Sequence, residues 1–327
     1  MSALPEMTCT EDVDAGVLDL QVLQLRRESR EVLSVLLADP DGCVLPVWEP
    51  GAHVDLVLGD VLRQYSLCGD PGDPMTYRVA VLRESRSSGG SRYVHDLLRP
   101  GDMVEVGGPR NNFRLGADHD RYVFVAGGIG ITPLLPMIAQ VDRAGQPWHL
   151  HYGGRSRVSM AFLDELSRYR NRVSLVFEDL DGRPDLDALL TDQPPGTGIY
   201  ACGPEGLVQA IEQRCASWPP GMLHVERFRP RPVSGGLADA PFTVECARSG
   251  IEVVVPAGES ILDAVQMGGV RLPNACREGI CGSCATRVLS GAVEHRDSVL
   301  SAAEQLAGDR LMTCVSRAAG PRLVLDL

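Results

Sequence analysis

The chain has no lysine; all 31 of its basic residues are arginine. That is the mark of a GC-rich genome and says nothing about function. There is no surplus of positive charge either. The 43 acidic residues bring the formal net charge to −12, which argues against bare nucleic acid as a partner. No long apolar run is uninterrupted. The longest uncharged stretch, Tyr122 to Val141, is broken by three glycines and two prolines. It reads as a strand, a turn and a helix, and no membrane span is expected. The opening MSALPEMTCTEDVD is acidic and has no apolar core, so a signal peptide is not expected and the location read from it is cytoplasmic. Without a secretory signal, disulfides are not expected. A second CxxC knuckle is also missing, which counts against a structural zinc site with four cysteine ligands.

What is present is cysteine in one dense stretch. Ala275 to Ala285 reads ACREGICGSCA and spaces Cys276, Cys281 and Cys284 as C-x4-C-x2-C. Cys314 follows 30 positions after Cys284, inside LMTCVS. This is the plant-type ferredoxin spacing for a [2Fe–2S] cluster. Three thiolates on one short loop reach both irons, and a distant strand is expected to supply the fourth. Gly279, Gly282 and the small Ser283 let backbone N–H groups approach the sulfur atoms. Cys9, Cys43, Cys68, Cys215 and Cys246 are scattered and read as buried or innocuous surface thiols.

Residues 1–117 read as short strands broken by turns, with one helical stretch, SRYVHDLLRPG; the pattern predicts a small antiparallel β-barrel. Two local features carry chemistry. Arg63-Gln64-Tyr65-Ser66-Leu67 offers a phosphate-binding cation, a ring and strand backbone groups. Ser88-Gly89-Gly90-Ser91 exposes backbone N–H groups ahead of a helix, which suits a phosphate. Each also fits a plain barrel strand or a plain turn. Together, RxYS and GGS about 25 residues later resemble the flavin signature of the ferredoxin–NADP reductase superfamily. GGSRYVHD followed by GPRNNF is similar to its phthalate dioxygenase reductase branch. The resemblance implies FMN, with its phosphate held by Arg63 and the Gly89, Gly90 and Ser91 loop. Tyr65, Ser66 and Leu67, and the strand at Val81, Leu82 and Arg83, would line the flavin.

From Asp118 the pattern changes to strands alternating with helices, which predicts a parallel α/β sheet over 118–232. Gly127-Gly128-Ile129-Gly130 lies between a strand and a helix, a setting suited to a pyrophosphate. Thr132 and Pro133 follow it, so this is not the G-x-G-x-x-G fingerprint. GGxGxTP with CGP about 70 residues later resembles the pyridine-nucleotide domain of the same superfamily. That implies nucleotide binding at Gly127, Gly128, Gly130 and Thr132, and a nicotinamide beside Cys202, Gly203 and Pro204. Cys202 also fits a buried strand-end thiol. Phe228 matches an aromatic that covers the flavin in that branch, and equally fits core packing. The second strand ends at Arg155 and Ser156, where an acidic residue would read a ribose. Arginine there favours a 2′-phosphate; the resemblance favours NADH, which is the expectation adopted.

RPRPVSGGLADAP reads as a linker, set at 233–240, and 241–327 as a β-grasp ferredoxin domain. His295 and Asp297 in HRDSVL read as surface or domain-contact residues. The chain is thus identified as a member of the phthalate dioxygenase reductase and vanillate O-demethylase reductase family. The implied role is an NADH-dependent reductase, with no catalytic residue beyond its cofactors. NADH gives up electrons in pairs, and a [2Fe–2S] cluster takes one at a time, so the flavin stands between them. The implied recipient is a Rieske non-haem iron oxygenase acting by aromatic hydroxylation or O-demethylation. A cytochrome P450 is the alternative partner, and a redox-sensing module with no oxygenase is the alternative of another class.

Overall fold

A computed structural model describes residues 16–85, 89–191, 193–230 and 240–327. Cys9, Ser88 and linker positions 233–239 lie outside the described residues. The chain divides into two compact units, Met1–Cys202 and Gly203–Leu327.

The first unit opens with β1 (Val17–Ser29), β2 (Val32–Ala38), β3 (Ala52–Leu58), β4 (Val61–Ser66) and β5 (Thr76–Leu82). Helix α1 (Gly90–Asp96) precedes β6 (Met103–Asn111). These strands form a six-stranded sheet in the order β4-β3-β6-β1-β2-β5, and every pair is antiparallel. A bridge from Leu67, just past β4, to Val79 of β5 brings the two edges together. That closure makes the sheet a barrel and removes the exposed edges. Leu20, Val35, Val54, Val79 and Val106 fill it and are all fully buried.

The α/β part follows within the same unit. It runs β7 (Arg121–Gly127), α2 (Leu134–Arg143), β8 (Trp148–Gly154), α3 (Leu163–Leu166), β9 (Val173–Phe177), α4 (Glu178–Asp181), α5 (Leu186–Leu190) and β10 (Thr197–Cys202). β10, β7, β8 and β9 lie side by side in that order, all parallel. β7 is buried from Tyr122 to Gly127, as its continuous apolar run requires. Helix α3 is much shorter than AFLDELSRY suggested, because a 3-10 stretch over Ser167–Arg172 replaces its second half, with Arg170 at φ 42°.

The barrel and this sheet share one core. Cys68, Ala80 and Phe113 pack in the same cluster as Phe124, Ile131, Met137 and Tyr200. The connecting segment is pinned as well. Gly116 N donates to Tyr200 Oη at 2.7 Å, and Tyr122 Oη donates to Gly116 O at 2.9 Å. Arg78 of β5 makes a two-pronged contact with the Glu165 carboxylate of α3 at 3.1 and 3.2 Å. Shared apolar burial and this bidentate pair make one compact body from two patterns that differ in sequence.

The second unit starts with α6 (Glu205–Cys215) and β11 (Leu223–Glu226); Arg227, which follows β11, is tied to α6. The Arg227 guanidinium, buried to 2%, reaches Glu205 at 3.1 Å and also Glu212. After these come β12 (Phe242–Cys246), β13 (Ile251–Val255), α7 (Ile261–Met267), β14 (Ala285–Ser290), β15 (Val293–Glu294), α8 (Ala302–Ala307), β16 (Arg310–Met312), β17 (Arg317–Ala318) and β18 (Arg322–Leu325). The order β13-β12-β18-β14-β16, with β12 and β18 parallel and the other pairs antiparallel, is a β-grasp sheet. Ser260 caps α7 by accepting from Asp263 N. Helix α8 was not expected, although Ser301 and Glu304 form a capping box whose S-x-x-E spacing is plain in the sequence.

Cys68, Cys215 and Cys246 are buried free thiols. Cys43 departs from the expectation: it is disulfide-bonded. No spacing in the sequence singles it out for pairing, which depends only on where its Cβ is placed.

Candidate functional site

The cluster loop is held open by backbone conformations that side chains rarely adopt. Arg277, Gly279 and Gly282 have φ of 57°, 70° and 75°. A Cβ on Gly279 would sit 2.5 Å from Val315 Cγ2, so only glycine fits there. Arg277 affords its left-handed conformation by anchoring its side chain, with Nη1 on Asp263 at 3.0 Å and Nη2 on Gln266 at 3.1 Å. The turned backbone aims N–H groups at sulfur. Glu278 N donates to Cys276 Sγ at 3.3 Å and Ser283 N to Cys281 Sγ at 3.4 Å. The Ser283 hydroxyl lies 3.0 Å from the same Cys281 sulfur.

Cys314 does not lie on a strand, as had been expected. It sits in the turn between β16 and β17, where Val315 N and Ser316 N both bond back to Met312 O. A turn lets its thiol and the neighbouring backbone face the loop together. The thiols come as two pairs, Cys276 with Cys281 and Cys284 with Cys314, each pair in hydrogen-bond contact. That contact pulls the Cys281 and Cys284 thiols down, while it pushes Cys276 and Cys314 up. Among the described residues no three His, Cys, Asp or Glu side chains converge on a single ion. Two thiolate pairs with backbone N–H groups around them are the donor set of a two-iron cluster, and it fits these residues. Cys281, Cys284 and Cys314 are buried, whereas Cys276 is half-buried beside exposed Arg277 and Glu278.

Asp297 and His295 are not surface residues. The Asp297 side chain is fully buried and the His295 side chain is 9% exposed, because their segment packs behind the loop.

In the first unit the fold brings RxYS and GGS together. A Cβ on Gly90 would lie 2.6 Å from Arg63 Cγ and 3.5 Å from Tyr65 Oη. Gly89 has φ 114°, which reserves the position for glycine. Burial pushes the Tyr65 phenol up, against the pull of nearby Arg63. The Ser66 hydroxyl is buried without a hydrogen-bond partner, as a donor facing an absent ring edge would be. Ser91 Oγ accepts from Glu84 N at 3.2 Å. Leu67 and Val81 are buried in the barrel, and Leu82 packs with the core. Arg83 lies past the strand end, exposed, and pairs with Asp96 at 3.0 Å.

At the nucleotide segment, Gly127 ends β7 and a 3-10 turn covers Gly128–Ile131. Gly128 has φ 54°, with nothing within 4 Å of a would-be Cβ. Gly130 and Thr132 are buried, and the Thr132 hydroxyl donates to Ile129 O at 3.0 Å. Cys202 is fully buried at the end of β10. Gly203 and Pro204 open the second unit, where Pro204 precedes α6 and Phe228 is 37% exposed. Ser156 caps a short 3-10 turn through Ser159. Arg155 is paired with Glu31 at 3.1 Å, a partner on β1–β2 that nothing in the sequence signalled.

The chain resembles known proteins over most of its length. Residues 244–319 match the 2Fe-2S iron-sulfur cluster binding domain. The chain is 42% identical over 300 residues to the phenoxybenzoate dioxygenase subunit beta of Ectopseudomonas oleovorans, covering 91% of this chain and 93% of that one. Phthalate dioxygenase reductase of Burkholderia cepacia is 37% identical, covering 97% of this chain and all (100%) of that one. A solved phthalate dioxygenase reductase, described as modular for electron transfer from pyridine nucleotides to [2Fe–2S], superposes with TM-score 0.69 at 37% identity, over 95% and 98% of the two chains. An intact type IV self-sufficient cytochrome P450 monooxygenase superposes with TM-score 0.89 at 45% identity, but this chain spans only 41% of that longer one.

Proposed function

Since the chain belongs to the phthalate dioxygenase reductase family, we propose that it is the NADH-dependent reductase of a multicomponent oxygenase. The observation that carries this is the convergence of Cys276, Cys281, Cys284 and Cys314 as two thiol pairs, in a chain whose first unit assembles Arg63, Tyr65, Ser66 and Gly90. FMN, when bound, would supply a group that can take electrons in pairs from NADH and give them up singly to a [2Fe–2S] cluster. The chain's residues bind and aim these groups. Arg63 and the Gly89–Ser91 backbone hold the flavin phosphate, and Ser66 supplies its unpaired hydroxyl to the ring. Gly127, Gly128, Gly130 and Thr132 receive the nucleotide, with Cys202, Gly203 and Pro204 positioning the nicotinamide. We keep 1–117, 118–232 and 241–327 as the functional modules, joined by the segment 233–240.

The Arg155–Glu31 pair supports NADH over NADPH. A guanidinium already matched to a carboxylate at 3.1 Å offers little net charge to a 2′-phosphate. Exposed Arg277 and Glu278 beside half-buried Cys276 mark the side from which an electron leaves. The recipient is a Rieske-type terminal oxygenase. A second reading, a separate P450, is favoured by the likeness to the self-sufficient P450 chain. No described helix is long and apolar enough to cross a membrane, and we place the protein in the cytoplasm with its pyridine nucleotide. The test is a visible spectrum of the purified protein before and after anaerobic NADH, followed by reconstitution with each oxygenase type. Bleaching of both flavin and iron–sulfur absorbance is expected; zinc in place of two irons per chain would end this reading.

A further inference from the structure

The parallel sheet of the first unit carries a cavity that the electron path above does not use. Its volume is about 680 Å³, within the range of small-molecule sites. It opens where β7 and β8 begin, at Arg121 and Trp148, whereas Gly127 and Cys202 lie at the far ends of their strands. The period of two puts Arg121 and Val123 of β7 on one face of the sheet. Val123 is paired with His149, so His149 and His151 of β8 share that face. The other face gives Phe124, Leu150 and Tyr152 to the shared core.

The charges around the cavity sort into spent and unspent. Arg172 is spent. Its Nη1 donates to Asp142 Oδ1 at 2.6 Å, and its guanidinium lies 5.6 Å from the Trp148 ring centre. Trp148 Nε1 donates to the same Asp142 oxygen at 3.1 Å, which fixes that rim. The two imidazoles are uncharged at neutral pH, because burial holds both below the usual histidine range. Their ring centres are 4.6 Å apart, and His149 Nε2 is anchored 2.8 Å from Ser174 Oγ. Arg121 is the unspent charge. It is exposed, and its side chain has no ion-pair or hydrogen-bond partner among the described residues. No described carboxylate lines the cavity.

One positive charge therefore stands over a wall that is otherwise uncharged. A divalent metal ion does not suit it, since two imidazoles beside a cation have no third ligating side chain among the described residues. A multiply charged anion would find one cation, too little to replace its water. A planar monoanion matches both the charge and the wall. We propose that this cavity binds a small aromatic carboxylate. Arg121 meets the carboxylate at the mouth with its planar fork, and the ring lies against Val123, Pro147 and the uncharged imidazole faces. Asp142 keeps the rim in shape by holding Arg172 and Trp148. No covalent or redox step is involved, and the site stands whatever the four cysteines bind.

The test is calorimetric titration of the full-length protein with sodium benzoate, benzamide and sodium acetate. Benzoate should bind saturably at a single site. Benzamide has the ring without the charge and acetate the charge without the ring, so each should bind at least about tenfold more weakly. Arg121→Gln should weaken benzoate about tenfold and leave benzamide unmoved. Saturating NAD⁺ should not change the benzoate affinity. The proposal is overturned by the absence of saturable benzoate binding, or by benzamide or acetate binding as tightly as benzoate. A benzoate affinity unmoved in Arg121→Gln overturns it too, and so does an equal loss of benzoate and benzamide, which would make Arg121 a part of the cavity's shape alone. Displacement of benzoate by NAD⁺ would place it in the nucleotide segment, with the same consequence. Should Arg121→Gln fail to fold, the comparison of benzoate with benzamide decides.

Discussion

The cluster loop and the flavin–nucleotide region solve the same problem, holding a redox group, by opposite means. From Ala275 to Ala285 three proposed ligands, the glycines and the sulfur-directed N–H groups are neighbours in sequence, and the fold adds only Cys314 from its turn. In the first unit, Arg63 and Gly90 meet across 27 residues, and Ala80 joins Ile131 in a single core. A local site fails when one ligand is lost. A distributed site fails by degrees, as the body that assembles it loosens.

The sharpest break should come from Cys281→Ser. Cytochrome c reduction by NADH should be abolished while ferricyanide reduction by the flavin stays largely intact; loss of both would show that the two regions do not act in series. Next in size is Arg63→Ala. A charge-assisted phosphate contact contributes about 1.5–3 kcal/mol, so flavin affinity should fall roughly tenfold to a hundredfold. Flavin retained after gel filtration measures it, and iron content should not move. Glu165→Gln tests whether the first unit is one body. It leaves Arg78 with a weaker partner, and the first unit should lose about 1–2 kcal/mol in denaturant unfolding, since both side chains remain partly exposed. The loss should show in barrel and α/β signals alike, and not in the iron–sulfur absorbance.

A smaller effect is expected with pH. His151, on the sheet face away from the shared core, is held down to about 4 from 6.5, first by burial and then by neighbouring His149. The folded state therefore refuses a proton that the unfolded chain accepts. Stability is full above pH 6.5 and is lost as pH falls from there toward 4. Discounted for the ring's partial exposure, the loss is about 1 kcal/mol. His151→Gln should flatten it in denaturation curves at the two ends of that window. Smallest is Glu31→Gln, which frees Arg155. Efficiency with NADPH should rise about twofold to fivefold, the worth of an exposed pair, as read from kcat/KM. No change would mean that this pair does not govern nucleotide choice.

The sequence by itself determined the fold class and the cluster. Alternation of period two marks the barrel strands, the continuous apolar run of β7 marks a parallel strand buried on both faces, and four cysteines at plant-type spacing mark two irons. These are local regularities, and a chain carries them whatever surrounds it. The tertiary structure decided what depends on packing between distant segments. It put the barrel and the parallel sheet on one core, placed Cys314 on a turn, and matched Arg155 to Glu31. It also shortened α3 and closed Cys43 into a disulfide. His295 and Asp297 show the difference most clearly. In the sequence they are polar residues in a loop, and read as surface or domain-contact residues. In the fold, Ser298 and Ser316 fasten that loop behind Gly279, and both side chains are buried.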